Sequence, residues 1–129
     1  MLRRWQNVDM SYFIIFRLDE NMVNIIDAFI RGLQKPIILW LLSVKPRHGY
    51  ELITEFKSLT GRKLKPSIVY PFLQWLEREG YAVSRQIMRG KRRLKCYSLT
   101  EKGQKLLKNL QGKLRASIWE VIKEFLGEK

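Results

Sequence analysis

The segment that begins at Ser67 restricts the fold most, because it changes from helical to strand-like spacing within a few residues. Apolar residues recur at i, i+3, i+4 and i+7 along residues 69–76, which predicts a helix with one apolar face. Ser67 is predicted to cap its start, and Gly80 to end it in a left-handed conformation. Residues 81–88 and 94–100 then read as strands around a short tip. A one-faced helix followed directly by a β-hairpin is expected.

The chain before this segment is predicted to be helical. Apolar residues from Asp19 to Leu33 recur at steps of three and four, and Pro36 is expected either to start or to kink the next helix. A further helix is predicted to open at His48 and to end at Gly61. Residues 1–18 form an N-terminal arm whose structure the pattern does not define.

A last helix is predicted to begin after Thr100 and to run for nearly thirty residues. Its apolar stripe has too little of its own chain to cover it, so we expect pairing with the same helix of a second subunit. The predicted dimerisation residues are Leu107, Leu110, Leu114, Ile118, Val121 and Phe125.

The positive charge of the chain is concentrated in its middle third. The formal net charge is +13, and residues 57–95 contain eleven basic residues against Glu77 and Glu79, a net of +9. Scattered lysines would indicate only solubility, whereas a concentrated excess favours a polyanionic partner. A membrane surface is the competing polyanion, but this segment does not read as a basic amphipathic helix. The charge therefore favours nucleic acid.

The order helix, helix, turn, helix and basic hairpin is that of a winged helix-turn-helix domain. We predict a mainly α fold with a two-stranded β wing, in which residues 19–100 form this domain and residues 101–129 the long dimerisation helix. The helix after Ser67 presents its outer face to a DNA groove, and the preceding turn and the wing supply cations for phosphates. The predicted DNA-contacting residues are Lys65, Ser67, Ile68, Tyr70, Pro71, Gln74, His48, Tyr50, Arg62, Lys63, Arg89, Lys91, Arg92 and Arg93.

Three segments of the chain resemble the PadR-type regulators. They are the sequence HGYE at residues 48–51, the run VYPFL at residues 69–73 with Leu-Glu and Gly after it, and the junction YSLTEKG at residues 97–103. The resemblance implies a homodimer held by the terminal helix, a palindromic DNA operator and, usually, repression of transcription. The chain departs from the family pattern at Ser67 and Ile68, where Gly and then Ser or Thr are usual. Gln74 stands at a position that is frequently basic.

Individual residues have a second interpretation beside the functional one. His48 is expected to make local hydrogen bonds first and phosphate contacts second, and Tyr50 to be half core and half phosphate contact. Trp40 and Trp75 are expected to pack. Trp119 is predicted to pack in the dimer, and the resemblance to the PadR-type regulators implies a site for a small aromatic effector as the alternative. Cys96 reads as a small apolar filler rather than a redox switch.

Other classes of protein are weighed against the DNA-binding regulator. One histidine and one cysteine predict no metal site, and no nucleophile with its base is visible, so neither an enzyme nor a cofactor is expected. An architectural protein that binds duplex DNA without sequence preference is the main alternative, and a protein–protein adaptor is another. The absence of a signal-peptide pattern, of a membrane span and of a disulfide pair predicts a cytoplasmic protein.

Overall fold

A computed structural model of the chain describes residues 20–128, so the predicted arm at residues 1–18 lies outside them. The chain divides into two units, Met1–Leu33 and Gln34–Lys129. The helices are α1 (Glu20–Val44), α2 (Gly49–Thr60), α3 (Pro66–Arg78), α4 (Glu101–Ser117) and α5 (Trp119–Phe125), and the strands are β1 (Arg47–His48), β2 (Ala82–Arg89) and β3 (Arg92–Leu99).

Pro36 lies inside helix α1. It therefore does not start a new helix, which was the first of the two alternatives predicted for it. In the first unit the apolar side chains of Ile25 and Phe29 are exposed. In the second unit α1 contributes Ile38 and Leu41 to the core, where both are almost completely buried. The core of the second unit consists of Ile38, Leu39, Leu41, Leu42, Leu52, Ile53, Phe56, Leu64, Val69, Phe72, Leu73, Leu76, Ala82, Tyr97 and Leu107.

Helix α2 begins and ends as predicted because its ends have matching caps. His48 is the N-cap, and its Nδ1 accepts a hydrogen bond from the backbone N–H of Glu51 at 3.2 Å. The backbone N–H of His48 donates to the Glu51 carboxylate in return, which completes a capping box. At the other end Gly61 has φ 75°, and its N–H donates to the carbonyl of Lys57 at 2.8 Å.

Helix α3 starts two residues earlier than predicted, and Ser67 is not its cap. Lys65 is the N-cap, it makes no side-chain capping hydrogen bond, and Pro66 occupies the first helical position. Proline suits that position because its φ is already helical and because an N–H at the first helical position would have no hydrogen-bond partner within the helix. Proline also keeps the preceding residue extended, as Lys65 is, with φ −82° and ψ 134°.

The end of α3 follows the prediction and leads directly into the sheet. Gly80 has φ 81°, its N–H donates to the carbonyl of Glu77, and the N–H of Tyr81 donates to that of Leu76 at 2.8 Å. This pair of bonds is a Schellman motif. The carbonyl of Tyr81 then accepts the N–H of Thr100, which closes the hairpin beside the helix end.

The sheet has three antiparallel strands in the order β1-β3-β2, so the predicted two-stranded wing gains a short third strand. Residues 47 and 48 pair with Tyr97 and Cys96 of β3. A strand of two residues has no periodicity of its own to detect. Arg47 in this strand is buried, and its Nε donates to the carbonyl of Leu41 near the C-terminus of α1, at 3.1 Å.

The chain after Thr100 contains two helices rather than the single predicted helix. Thr100 caps α4 as expected, since its Oγ1 accepts the N–H of Gly103 at 3.1 Å. Helix α4 ends at Ser117, and Ile118, with φ −114° and ψ −15°, separates it from α5. The apolar stripe thus crosses a helix boundary, and the side chain of Leu107 at its start is buried in the core of its own domain.

Candidate nucleic-acid interface

The outer face of α3 is open to solvent. Tyr70 is 43% exposed and Gln74 is exposed, as is required of a helix face that enters a DNA groove. Because Pro71 has no N–H, it cannot donate the usual helical hydrogen bond to the carbonyl of Ser67 one turn earlier. The predicted contact residues of this helix that are exposed are Ser67, Ile68, Tyr70, Pro71 and Gln74.

A groove lies between the start of α2 and the turn that leads into α3, and we call it the turn groove. It has a volume of about 490 Å³ and brings together two tyrosine rings and two exposed lysines. Two kinds of group that contact phosphates, ammonium and hydroxyl, are therefore present in one place. The turn groove is lined by Tyr50, Ile53, Lys63, Leu64, Lys65, Pro66 and Tyr70.

Tyr70 lies against the first residue of α2. A side-chain carbon at Gly49 would lie 2.8 Å from Cζ and 3.0 Å from Oη of Tyr70, which is closer than van der Waals contact allows. Glycine at position 49 thus allows the Tyr70 ring to lie across the first turn of α2. The neighbouring Tyr50 ring is 68% exposed, so it is less buried than the half-core position predicted for it.

His48, which was predicted first for local hydrogen bonds and second for a phosphate contact, makes the local bonds. Its side chain is buried, and Nδ1 accepts from Glu51, so in a neutral ring the proton lies on Nε2. Nε2 is 3.0 Å from the carboxylate of Glu51 but makes no well-directed hydrogen bond, and it is sealed from solvent. Because the ring is buried, a phosphate cannot reach it, and His48 is not part of the candidate interface.

The wing tip is shorter than predicted, because the hairpin turns through only Gly90 and Lys91. Arg89 pairs directly with Arg92, and Gly90 has φ 63°, a conformation that two-residue hairpin loops favour at glycine. Arg89, Arg92 and Arg93 therefore belong to strands instead of a loop. All of these cations are exposed.

The alternation of the strands sorts the wing cations onto two faces. Ser84 donates a hydrogen bond to Glu77 of α3 and pairs with Tyr97 across the hairpin. Side chains alternate between the two faces along a strand. Lys95 and Arg93, two and four residues before Tyr97, therefore lie on the same face, which is the α3 side of the wing. Arg89 and Arg92 lie on the opposite face. The sequence predicted a single cluster of cations, whereas the register separates Arg93, on the α3 side of the wing, from Arg89 and Arg92 on the other face.

Glu77 joins α3 to both strands of the wing. One carboxylate oxygen accepts from Lys95 Nζ at 3.0 Å, and the other accepts from the hydroxyl of Ser84. The Ser84 bond, followed by the Lys95 bond, lowers the pKa of Glu77. Sequence reasoning missed this contact, because three residues on three elements meet only after the hairpin has folded onto the helix.

The C-terminal stripe is exposed beyond its first turns, with Leu114 at 42%, Ile118 at 44% and Phe125 at 85%. Trp119 is 49% exposed at the start of α5, and its predicted roles in packing or effector binding remain predictions. Burial raises the pKa of the Cys96 thiol, and the charge of Glu51 adds to this effect. A thiol kept protonated in this way is a poor redox switch.

Three aromatic rings form a stack on the side of α3 that faces away from the wing cations. Phe72 and Trp75 are 5.9 Å apart and nearly parallel, and Trp75 lies 5.5 Å from Tyr81. Lys35 lies 5.5 Å from the Phe72 ring centre at one end, and Lys102 lies 4.6 Å from the Tyr81 ring centre at the other. Trp75 packs as predicted in this stack, yet 37% of it is exposed.

Among residues 20–128, no group of three or more histidine, cysteine, aspartate or glutamate side chains has an arrangement that could hold a metal ion. No helix within the same residues is long and apolar enough to cross a membrane.

The family model that matches is that of the PadR-like transcriptional regulators, and it matches residues 38–109, more than half of the chain. This range contains α2, α3, the sheet and the start of α4. No curated protein is significantly similar to the chain.

Several solved structures similar to the chain are described as transcriptional regulators. One from Thermoplasma acidophilum is 28% identical with a TM-score of 0.65, over 79% of this chain and 98% of that one. A PadR-family regulator from Eggerthella lenta is 23% identical with a TM-score of 0.65, over 92% and 95% of the two chains. Bacillus subtilis PadR, solved in complex with operator DNA, is 32% identical with a TM-score of 0.56, over 60% of this chain and 46% of that one.

Proposed function

Since this chain belongs to the PadR-like family of transcriptional regulators, we propose that it recognises a specific double-stranded DNA sequence as a homodimer and represses transcription in the cytoplasm. The single observation that carries the proposal is the exposed outer face of α3, with Tyr70 and Gln74 in solvent beside the turn groove and the wing. The operator complex of Bacillus subtilis PadR supports DNA as the partner.

Direct readout is assigned to the side chains on the exposed face of α3. The Gln74 amide can donate to N7 and accept from N6 of one adenine, a pairing that the major groove permits. Ile68 cannot form a hydrogen bond through its side chain, so we assign it a contact with a thymine methyl group. These two contacts carry the sequence preference.

Phosphate binding is assigned to cations on both sides of this readout surface. Lys63 and Lys65 of the turn groove hold one part of the backbone, and Arg93 holds another from the α3 side of the wing. Arg89, Lys91 and Arg92 extend the same charge along the wing, and Arg62 adds to that of the turn. Phosphate contacts set the affinity and its dependence on salt.

The homodimer is assigned to the exposed apolar stripe of α4 and α5. A second copy of the stripe would cover Leu114, Ile118 and Val121, which are 42–61% exposed in one chain. Two recognition helices related by a two-fold axis read half-sites about 34 Å apart, so the operator is palindromic. Occupation of such a site near a promoter would repress transcription.

The experiment that tests this proposal is selection of bound duplexes from a random library, followed by sequencing. We expect an enriched palindrome whose half-sites are separated by about one helical turn. Enrichment of a single unrepeated half-site would contradict the dimer. A selected pool no different from the input would contradict sequence-specific recognition.

An architectural DNA-binding protein is the second candidate, and one observation favours it. The base-facing side of α3 includes Ile68 and Pro71, whose side chains form no hydrogen bonds, while the wing is rich in cations. Such a protein would bind random and selected duplexes equally and with strong salt dependence. The same library therefore separates the two functions.

A further inference from the structure

A second groove lies beside α3, on the flank opposite to the turn groove, and we call it the Lys35 groove. It has a volume of about 430 Å³ and combines one ammonium group, one hydroxyl group and apolar walls. Only one of its members comes from α1, namely Lys35. The Lys35 groove is lined by Lys35, Ser67, Ile68, Pro71, Phe72 and Trp75.

The two grooves lie on different flanks because of the helical period. Ile68 and Trp75 are seven residues apart and share one flank of α3, whereas Tyr70 and Glu77 share the other. Tyr70 lines the turn groove and Glu77 is bonded to the wing. The outer face with Gln74 lies between the two flanks.

A helix in the major groove has a phosphate backbone on each side, because the groove is bounded by both DNA strands. The turn groove faces one of these strands with Lys63 and Lys65. We propose that the Lys35 groove binds the backbone of the other strand, with the Lys35 ammonium on a phosphate and the Ser67 hydroxyl beside it. This inference rests on the proposed function and adds α1 to the DNA-binding surface.

The chemistry of the groove suits a sugar–phosphate strand. Lys35 is exposed, its ammonium lies 5.5 Å from the centre of the Phe72 ring, and its flexible stem allows the ammonium to turn toward a phosphate in the groove. Trp75 is 37% exposed and offers apolar surface to the deoxyribose carbons. The positive charge of Lys35 and the position of the groove next to the readout face of α3 therefore both favour the phosphate backbone of DNA as its occupant.

The first test is the salt dependence of DNA affinity for Lys35→Gln. Loss of one phosphate contact in each subunit should reduce the slope of log K against log salt by about two for the dimer. The loss of affinity should be similar for the selected and a scrambled duplex, because phosphates carry no sequence information. Lys35→Arg should retain the slope, and Lys108→Gln, on the exposed surface of α4, is the matched control and should also leave it unchanged.

The second test assigns Lys35 to a particular phosphate. Single methylphosphonate substitutions along the selected duplex remove one backbone charge at a time. One position should weaken binding of the wild type several-fold but have no further effect on Lys35→Gln. If every substitution weakens both proteins equally, Lys35 binds no phosphate and the inference is wrong. Failure of the wild type to bind any duplex would instead overturn the proposed function and this inference with it.

Discussion

The carboxylate of Glu77 lies 3.0 Å from the ammonium of Lys95, and this pair connects α3 to β3 of the wing. The other oxygen of the same carboxylate accepts a hydrogen bond from Ser84 in β2. One side chain therefore holds both wing strands against the helix that carries the proposed base contacts. It also forms an ion pair with Lys95, whereas Arg93, on the same side of the wing, lies outside this pair.

Glu77→Gln should lower the free energy of unfolding by roughly 0.5–1 kcal/mol at pH 7, because the pair is partly exposed and solvent screens it. Folding lowers the pKa of Glu77 from its ordinary value of 4.5. Its stabilising contribution is therefore complete above the unfolded-state pKa and is lost as the pH falls through the folded-state pKa. Urea unfolding should show a difference between wild type and variant at pH 7 that shrinks below about pH 4.5.

The matched control for this prediction is Glu124→Gln. Glu124 is exposed in the last turn of α5, where a negative charge has no favourable interaction with the helix dipole, so its replacement should change stability little at either pH. A Glu77→Gln difference of the same size at neutral and acidic pH would mean that the carboxylate charge does not hold the wing.

Gly49→Ala should displace the Tyr70 ring, since the added methyl group would overlap it; because that ring is 43% exposed and can turn away, the free energy of unfolding should fall by no more than about 1 kcal/mol. Displacement of that ring should also weaken DNA binding. In the Tyr70→Ala background the obstacle is absent, so the same glycine substitution should have almost no effect on stability. Urea unfolding of the four proteins in this double-mutant cycle gives the coupling. Equal losses in both backgrounds would contradict the contact.

Arg47→Met should lower the free energy of unfolding by about 1–2 kcal/mol while keeping most of the buried volume. Arg47 is 6% exposed and donates to the Leu41 carbonyl, with Glu55 at 3.9 Å from its guanidinium. Loss of the donor leaves that carbonyl near the end of α1 without this bond. Chemical denaturation measures the change, and DNA affinity of the folded variant should equal that of wild type. A variant as stable as wild type would contradict the role of Arg47.

Ile118→Asp should convert the proposed dimer into a folded monomer, because it places a charge in the apolar stripe of α4 and α5. Light scattering after size-exclusion chromatography should show half the wild-type mass, with an unchanged circular-dichroism spectrum. Asn109→Asp adds the same charge to the exposed surface of α4 away from the stripe, and it should remain dimeric. A wild-type chain that is monomeric at micromolar concentration would contradict the interface.

Local signals predicted the elements whose ends are set by adjacent residues. Helix α2 begins at the His48–Glu51 capping box and ends at Gly61, and the wing begins after the left-handed Gly80. The start of α3 was misplaced because Ser67 and Pro66 both suit a helix start, and the fixed φ of proline prevailed over the serine hydroxyl.

Features that depend on contacts distant in sequence could not be read from local patterns. Strand β1 exists because β3 pairs with it, and the break at Ile118 interrupts a stripe whose spacing continues through it. Lys35 belongs to a segment with little net charge, so the charge pattern gave no reason to select it. Packing of α1 beside α3 is what brings Lys35 next to Ile68.

The central claim is that the exposed face of α3 reads DNA sequence, and fluorescence anisotropy with a selected and a scrambled duplex of equal composition tests it most directly. At physiological salt the wild type should prefer the selected duplex by at least about 10³-fold. Gln74→Ala should reduce that preference by 1–3 kcal/mol per lost base contact, roughly 5- to 150-fold, with little change in affinity for the scrambled duplex. Equal affinities of the wild type for the two duplexes would contradict the claim.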